Sequence, residues 1–95
     1  MLYPVSAALY DEIRARLTDA IGDTDYFSGT LAFEFGQVSC RLRTSLIVYR
    51  RTEQLPEGTC RPITDLVPVW WEFFTESDEG ELLNDFSFDE VRRLL

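Results

Sequence analysis

The sequence contains no histidine and no lysine, and it contains only two cysteines in 95 residues. Histidine is the commonest general base and metal ligand in proteins, so its absence removes the usual basis for both kinds of site. The two cysteines, Cys40 and Cys60, are too few for a disulfide scaffold, and we expect both to be free thiols. We therefore expect no catalytic activity, no cofactor and no bound metal.

Long hydrophobic runs are also missing. No stretch approaches the ~20 consecutive apolar residues that a membrane-spanning helix requires. The first eight residues have no basic segment before their apolar positions, so we expect no secretory signal peptide. These features predict a cytoplasmic protein with no membrane partner.

Positive charge is scarce and unevenly placed. Nine arginines stand against 17 acidic residues, which gives a net charge of −8. Residues 1–51 contain six acids and six arginines, so the whole imbalance comes from residues 52–95, with eleven acids and three arginines. A charge of this sign opposes direct binding to the phosphate backbone of a nucleic acid. It also suits encounter with a basic protein.

The spacing of apolar residues predicts a helix followed by strands. Apolar side chains recur every four residues in the first segment, at Leu9, Ile13, Leu17 and Ile21. This spacing predicts a helix at about 5–21, with Ser6 as its N-cap and Gly22 as its stop. Alternation of apolar and polar residues predicts strands at about 28–35, 38–50 and 64–75. Gly36-Gln37 joins the first two strands as a hairpin.

The remaining segments are read from their turn and capping residues. Pro68 cannot donate to a strand ladder, so it predicts an edge position or a bulge in the third strand. Residues 52–62 predict an exposed loop, and residues 82–86 remain open as a fourth strand. Ser87 and Glu90 fit a capping box at the start of a short helix that we expect to reach Leu95.

Together these elements predict a single α-β-β-β-α domain over residues 1–95. We expect a two-layer α+β fold, with both helices on one face of an antiparallel meander sheet of three strands, or four if residues 82–86 join it. This order of elements resembles double-stranded RNA-binding domains. Those domains begin their last helix with a lysine-rich segment, where this chain has Ser87-Phe88-Asp89-Glu90, so the resemblance does not extend to RNA binding.

The sheet face away from the helices is the candidate binding site. The helices are expected to cover the face that carries Leu31, Phe33, Phe35, Cys40, Leu42, Leu46 and Val48. The sequence leaves open whether the third strand adds Trp70 and Phe74 to this core, or Val69, Trp71 and Phe73. If Val69, Trp71 and Phe73 join the core, the aromatic, aliphatic and arginine side chains of the outer face are Trp70, Phe74, Tyr49, Ile47, Arg41 and Arg43. These residue types are enriched at protein interfaces.

Two function hypotheses follow. The first is a non-catalytic module that binds itself, as a homodimer, or another protein through this face. The alternative is an acidic inhibitor, of the immunity or nucleic-acid-mimic type, that binds a basic partner. A carboxylate enzyme is the weakest interpretation, with Asp65, between Ile63 and Leu66, as its best candidate acid. The acidic segment from Glu76 to Glu81 does not fit the calcium-binding EF-hand pattern.

Overall fold

The computed structural model describes residues 2–95 and has an α+β architecture. The main sheet contains five strands in the order β1-β7-β6-β3-β2, and a separate hairpin pairs β4 with β5. In chain order the elements are β1 (Leu2–Tyr3), α1 (Ala7–Ile21), β2 (Tyr26–Phe35), β3 (Val38–Arg50), β4 (Glu53–Leu55), β5 (Gly58–Cys60), β6 (Ile63–Ser77), β7 (Gly80–Asn84) and α2 (Phe88–Arg92).

The sheet is larger than predicted, and it is mixed. β2, β3, β6 and β7 are antiparallel neighbours, whereas β1 runs parallel to β7. The prediction of a simple antiparallel meander was therefore wrong, although the α+β class is confirmed. Three short strands escaped prediction because two or three residues are too few to show alternation. The expected loop at 52–62 contains two of them, β4 and β5.

The first helix forms as its sequence predicts. Its four regularly spaced apolar side chains lie on one face and are buried. The Ser6 hydroxyl accepts a hydrogen bond from the Leu9 N–H at 3.1 Å, which satisfies one of the free donors at the helix start. Gly22 ends the helix with a φ of 57°, a conformation that glycine adopts without steric cost.

A bulge in β6 decides which aromatic residues face outward. Ser45 lies opposite Trp70 and Leu46 lies opposite Pro68, so Val69 has no partner on β3. The extra residue shifts the alternation along β6. Trp70 and Phe74 consequently share a face with the odd-numbered residues of β3, while Phe73 is buried on the other face. Val69 projects from the bulge and is largely exposed.

The core lies between the two helices and the inner face of the sheet. Its most deeply buried members come from α1, from the even-numbered positions of β3, from β6 and from α2. They are Leu9, Ile13, Leu17, Ile21, Cys40, Leu42, Leu46, Leu66, Phe88 and Val91. Both helices therefore cover one face, as the two-layer prediction required.

The predicted capping box of the last helix does not form. Ser87 occupies the N-cap, but its side chain makes no capping hydrogen bond. The backbone N–H of Ser87, which Glu90 would accept in a capping box, donates to the Tyr10 hydroxyl at 3.0 Å. Glu90 pairs with Arg93 instead. The helix also ends at Arg92 rather than continuing to Leu95.

The molecule is elongated, which leaves much of the sheet uncovered. Its principal extents are 53 × 23 × 18 Å. A helix of 15 residues is about 22 Å long, so α1 spans at most about half of the long axis.

Within residues 2–95, no helix combines the length and the apolar character needed to cross a membrane.

Candidate protein-binding face

The outer face of the main sheet, opposite the helices, carries all six residues that the sequence proposed for partner binding. Arg41 and Arg43 are directly opposite Phe74 and Glu72, and Ser45 is opposite Trp70. Directly opposed residues project from the same side of a sheet. Ile47 and Tyr49 continue the same alternation along β3, so the structure places this predicted set on one surface.

One half of this surface is apolar, and we call it the apolar end. It consists of Tyr26, Ile47, Tyr49, Val67 and Trp70. Tyr26 and Val67 flank Ile47 on the neighbouring strands. Except for Val67, which is half-buried, these side chains are between 41% and 54% exposed, so they present apolar area that the chain itself does not cover.

Tyr26 and Val67 were missed by the sequence analysis for two different reasons. Tyr26 precedes the predicted start of its strand at residue 28, although an aromatic residue before the alternating run favours an earlier start. Val67 lies on the far side of the Val69 bulge, where simple alternation assigns it to the inner face. Pro68 was the available signal that the alternation would be interrupted.

The other half of the outer face is charged, and its arginines already have partners. The Arg41 guanidinium lies over the Phe74 ring, 4.9 Å from its centroid. Arg43 approaches Glu72 at 3.7 Å, with both side chains half exposed. Such an exposed ion pair contributes little free energy of folding. Both arginines therefore already contact a neighbouring side chain on the outer face, through contacts weak enough for a partner to replace.

An open groove of about 580 Å³ lies at this charged end. Phe74 and Arg41 contribute to its lining, together with three glutamates: Glu34, Glu76 and Glu81. Glu76 and Glu81 are directly opposite each other on β6 and β7, an arrangement in which like charges repel. Glu34 accepts a hydrogen bond from the Ser39 hydroxyl at 2.6 Å. The groove thus combines an aromatic ring with an excess of negative charge.

The surroundings of Cys40 and Asp65 favour a structural role for these side chains over a catalytic one. Burial, with a smaller contribution from Glu34, raises the pKa of the Cys40 thiol to about 11, which keeps it protonated and weakly nucleophilic at neutral pH. Hydrogen bonding from Arg92 lowers the pKa of Asp65, whereas a general acid needs a raised one. Both cysteines are free. Across residues 2–95, no three histidine, cysteine or acidic side chains form a group suited to a metal ion.

A second cavity, of about 410 Å³, adjoins the β4–β5 hairpin and is organised by Arg50. The Arg50 side chain is only 8% exposed. Its guanidinium donates to the carbonyl oxygens of Gly22, Thr24 and Arg61. Within residues 2–95, its Nε makes no hydrogen bond, although it lies 3.6 Å from an Asp25 carboxylate oxygen. Arg50 therefore fastens the end of α1 to the segment that precedes β6.

No protein-family model, curated protein or solved structure matches this chain.

Proposed function

We propose that this protein is a non-catalytic interaction module that binds another protein on its outer sheet face. The apolar end packs against apolar side chains of the partner, and the groove at the charged end receives a lysine or arginine side chain. The observation that carries the proposal is the apolar end itself. An antiparallel sheet covered on one side normally presents a polar face to solvent, whereas this one presents two tyrosines, an isoleucine and a tryptophan.

The charge of the groove supports a basic partner. Glu76 and Glu81 lie directly opposite each other on the neighbouring strands β6 and β7, and a cation placed between them offsets their mutual repulsion. Electrostatic attraction to a chain of net charge −8 also accelerates the encounter. A second copy of this chain, laid face to face on the first, would bring the same carboxylates and the same negative charge. The outer face therefore suits a different protein better than it suits a second copy.

Site-specific photo-crosslinking tests the proposal. A photoreactive phenylalanine analogue is placed at Tyr49 in the apolar end, and in a matched protein at Leu94, which is 43% exposed just after α2, the helix on the inner side of the sheet. We expect a partner to be captured from Tyr49 and not from Leu94. The captured protein is then purified and titrated against wild type, Trp70→Glu and Leu94→Glu.

Trp70→Glu should weaken binding at least about tenfold, because it puts a charge in the centre of an apolar contact. Leu94→Glu should change the affinity less than twofold. The double substitution Glu76→Gln/Glu81→Gln should weaken binding and reduce its dependence on salt. Equal losses for Trp70→Glu and Leu94→Glu, or binding that high salt leaves unchanged, would contradict the proposal.

The groove also favours a second candidate function, inhibition of a basic protein by occupation of its functional surface. An acidic module of the immunity or nucleic-acid-mimic type would act in this way. The captured partner's own activity distinguishes the two candidates. An inhibitor abolishes that activity at a one-to-one ratio and loses its effect with Glu76→Gln/Glu81→Gln, whereas a simple interaction module leaves the partner active.

A further inference from the structure

The edge strand β2 is long and unprotected. It lies at the end of the main sheet and pairs with β3 on one side only. All ten of its residues pair with β3 without a register shift. The strand contains no proline, no lysine and a single charged residue, Glu34. Prolines, lysines and other charged side chains usually protect a free edge, because an unpaired row of backbone N–H and C=O groups promotes pairing with another chain.

The other free edges of the same sheet carry such protection. β6 extends well beyond its short pairing with β7, but this stretch contains Pro68 and the Val69 bulge. The side-chain amide of Asn84 donates to the Phe73 carbonyl oxygen at 3.1 Å on the same strand. The opposite end of the sheet is β1, which has only two residues. Only β2 therefore offers a long, regular edge within residues 2–95.

The sequence of β2 is complementary to itself when two copies run antiparallel. A two-fold axis at Thr30 places Tyr26 opposite Glu34, Phe27 opposite Phe33 and Ser28 opposite Ala32. Each pair joins residues of the same sheet face: Phe27 and Phe33 are inner, and the other two pairs are outer. The register also brings two aromatic side chains together and opposes no like charges, which are the conditions that stabilise cross-strand pairs.

The distribution of charge also permits a second copy at this edge. Residues 1–51, which include β2 and β3, contain equal numbers of acidic and basic residues, and the net charge of −8 belongs to residues 52–95. β3 and β6 separate β2 from β7 in the sheet. Two copies that meet along β2 therefore keep their acidic segments away from the contact and lessen the repulsion between them.

We propose that this protein forms a homodimer by antiparallel pairing of β2 with β2 of a second copy, with the two-fold axis at Thr30. The two main sheets become one sheet of ten strands, five from each copy. An axis perpendicular to the sheet keeps both sets of helices on one side and both outer faces on the other. The dimer then presents two partner-binding faces in the same direction, which permits bivalent binding.

Charge substitutions at the axis test this arrangement. Wild type should have a solution mass of about 22 kDa, twice the 11.0 kDa of the chain, by light scattering after size-exclusion chromatography. Thr30→Lys puts two positive charges opposite each other in the dimer, and it should shift the mass toward that of the monomer. Thr52→Lys makes the same chemical change at an exposed position outside the sheet, and it should remain dimeric. Circular dichroism shows whether each variant is folded.

Complementary variants provide a sharper test. Thr30→Glu should also dissociate, and an equimolar mixture with Thr30→Lys should recover a mass of about 22 kDa as a one-to-one heterodimer, visible by native mass spectrometry. A wild-type mass of 11.0 kDa up to about 100 μM would overturn the proposal and leave the partner-binding function untouched. A dimer that Trp70→Glu dissociates and Thr30→Lys does not would also overturn it, because the contact would then be the outer face.

Discussion

At the scale of single residues, the surroundings of a carboxylate decide what it does. Asp65 was the best sequence candidate for an acid in an apolar site, because Ile63 and Leu66 flank it. In the structure its two oxygens accept hydrogen bonds from Arg92 at 2.9 and 2.7 Å, and Oδ1 also accepts the Leu66 N–H. The forked guanidinium matches both carboxylate oxygens. Asp65 consequently joins the last helix to β6.

Replacement of Asp65 by asparagine should lower the melting temperature by a few degrees at pH 7. Hydrogen bonding to Arg92 lowers the pKa of Asp65 in the folded protein, so the charged form stabilises the fold above the ordinary pKa of about 4. This stabilisation is lost as the pH falls through the lowered value. The difference in melting temperature between wild type and Asp65→Asn should therefore shrink steadily below about pH 4.

Asp11→Asn provides the matched control, since Asp11 makes an exposed ion pair with Arg14 one helical turn away. We expect this variant to melt within about one degree of wild type at pH 7, because surface pairs contribute little. If Asp65→Asn and Asp11→Asn behave alike across the pH range, the pairing with Arg92 does not stabilise the fold.

At the scale of elements, α2 depends on another helix for its start. It has only five residues, too few to be stable in isolation. The Tyr10 hydroxyl of α1 accepts the Ser87 N–H at 3.0 Å, and the Tyr10 ring stacks on Phe86 with centroids 5.6 Å apart. The tertiary contact thus replaces the local capping box.

Tyr10→Phe separates the hydrogen bond from the ring contact. The ring still fits, but the Ser87 N–H loses its acceptor, so we expect the free energy of unfolding to fall by about 1 kcal/mol. Equilibrium urea unfolding measures this change. Tyr49→Phe removes an exposed hydroxyl and should have an effect close to zero. A Tyr10→Phe protein as stable as wild type would show that the hydroxyl contributes no net stabilisation.

Local sequence patterns determine some elements of this fold and not others. α1 and β3 were predicted almost to the residue, because each has a strong period, of about four residues in α1 and of two in β3. The failure of the predicted capping box and the face of Val67 could not be predicted in this way. One depends on a tyrosine 77 residues away, and the other depends on a bulge that Pro68 signals without locating. The parallel pairing of Leu2 and Tyr3 with β7 likewise depends on a strand about 80 residues later.

The candidate site was predicted in composition but not in organisation. The outer face contains all six expected residues, although alternation alone left open whether Trp70 and Phe74 lie on it or in the core. The contacts of Arg41 with Phe74 and of Arg43 with Glu72 depend on the register of β3 with β6. The sequence could not reveal the opposition of Glu76 and Glu81, because that depends on the register of β6 with β7.

At the scale of the whole molecule, negative charge opposes the compact state. The chain carries 17 acidic and nine basic residues, a net charge of −8. The arginines therefore leave an excess of carboxylates that repel one another. Much of this charge lies in the β6–β7 hairpin, where Asp78 and Glu79 form the turn. Dissolved salt screens repulsion between exposed charges over distances longer than the Debye length.

Stability should therefore rise with ionic strength. An increase from 0.01 to 0.15 M shortens the Debye length from about 30 to about 8 Å, and we expect the melting temperature of the monomeric Thr30→Lys protein to increase by a few degrees. Adding Asp78→Asn and Glu79→Gln to that protein removes two negative charges from the turn. This should raise the melting temperature at low salt and flatten its salt dependence. A melting temperature that falls with salt would mean that attraction within the surface ion pairs outweighs the net repulsion.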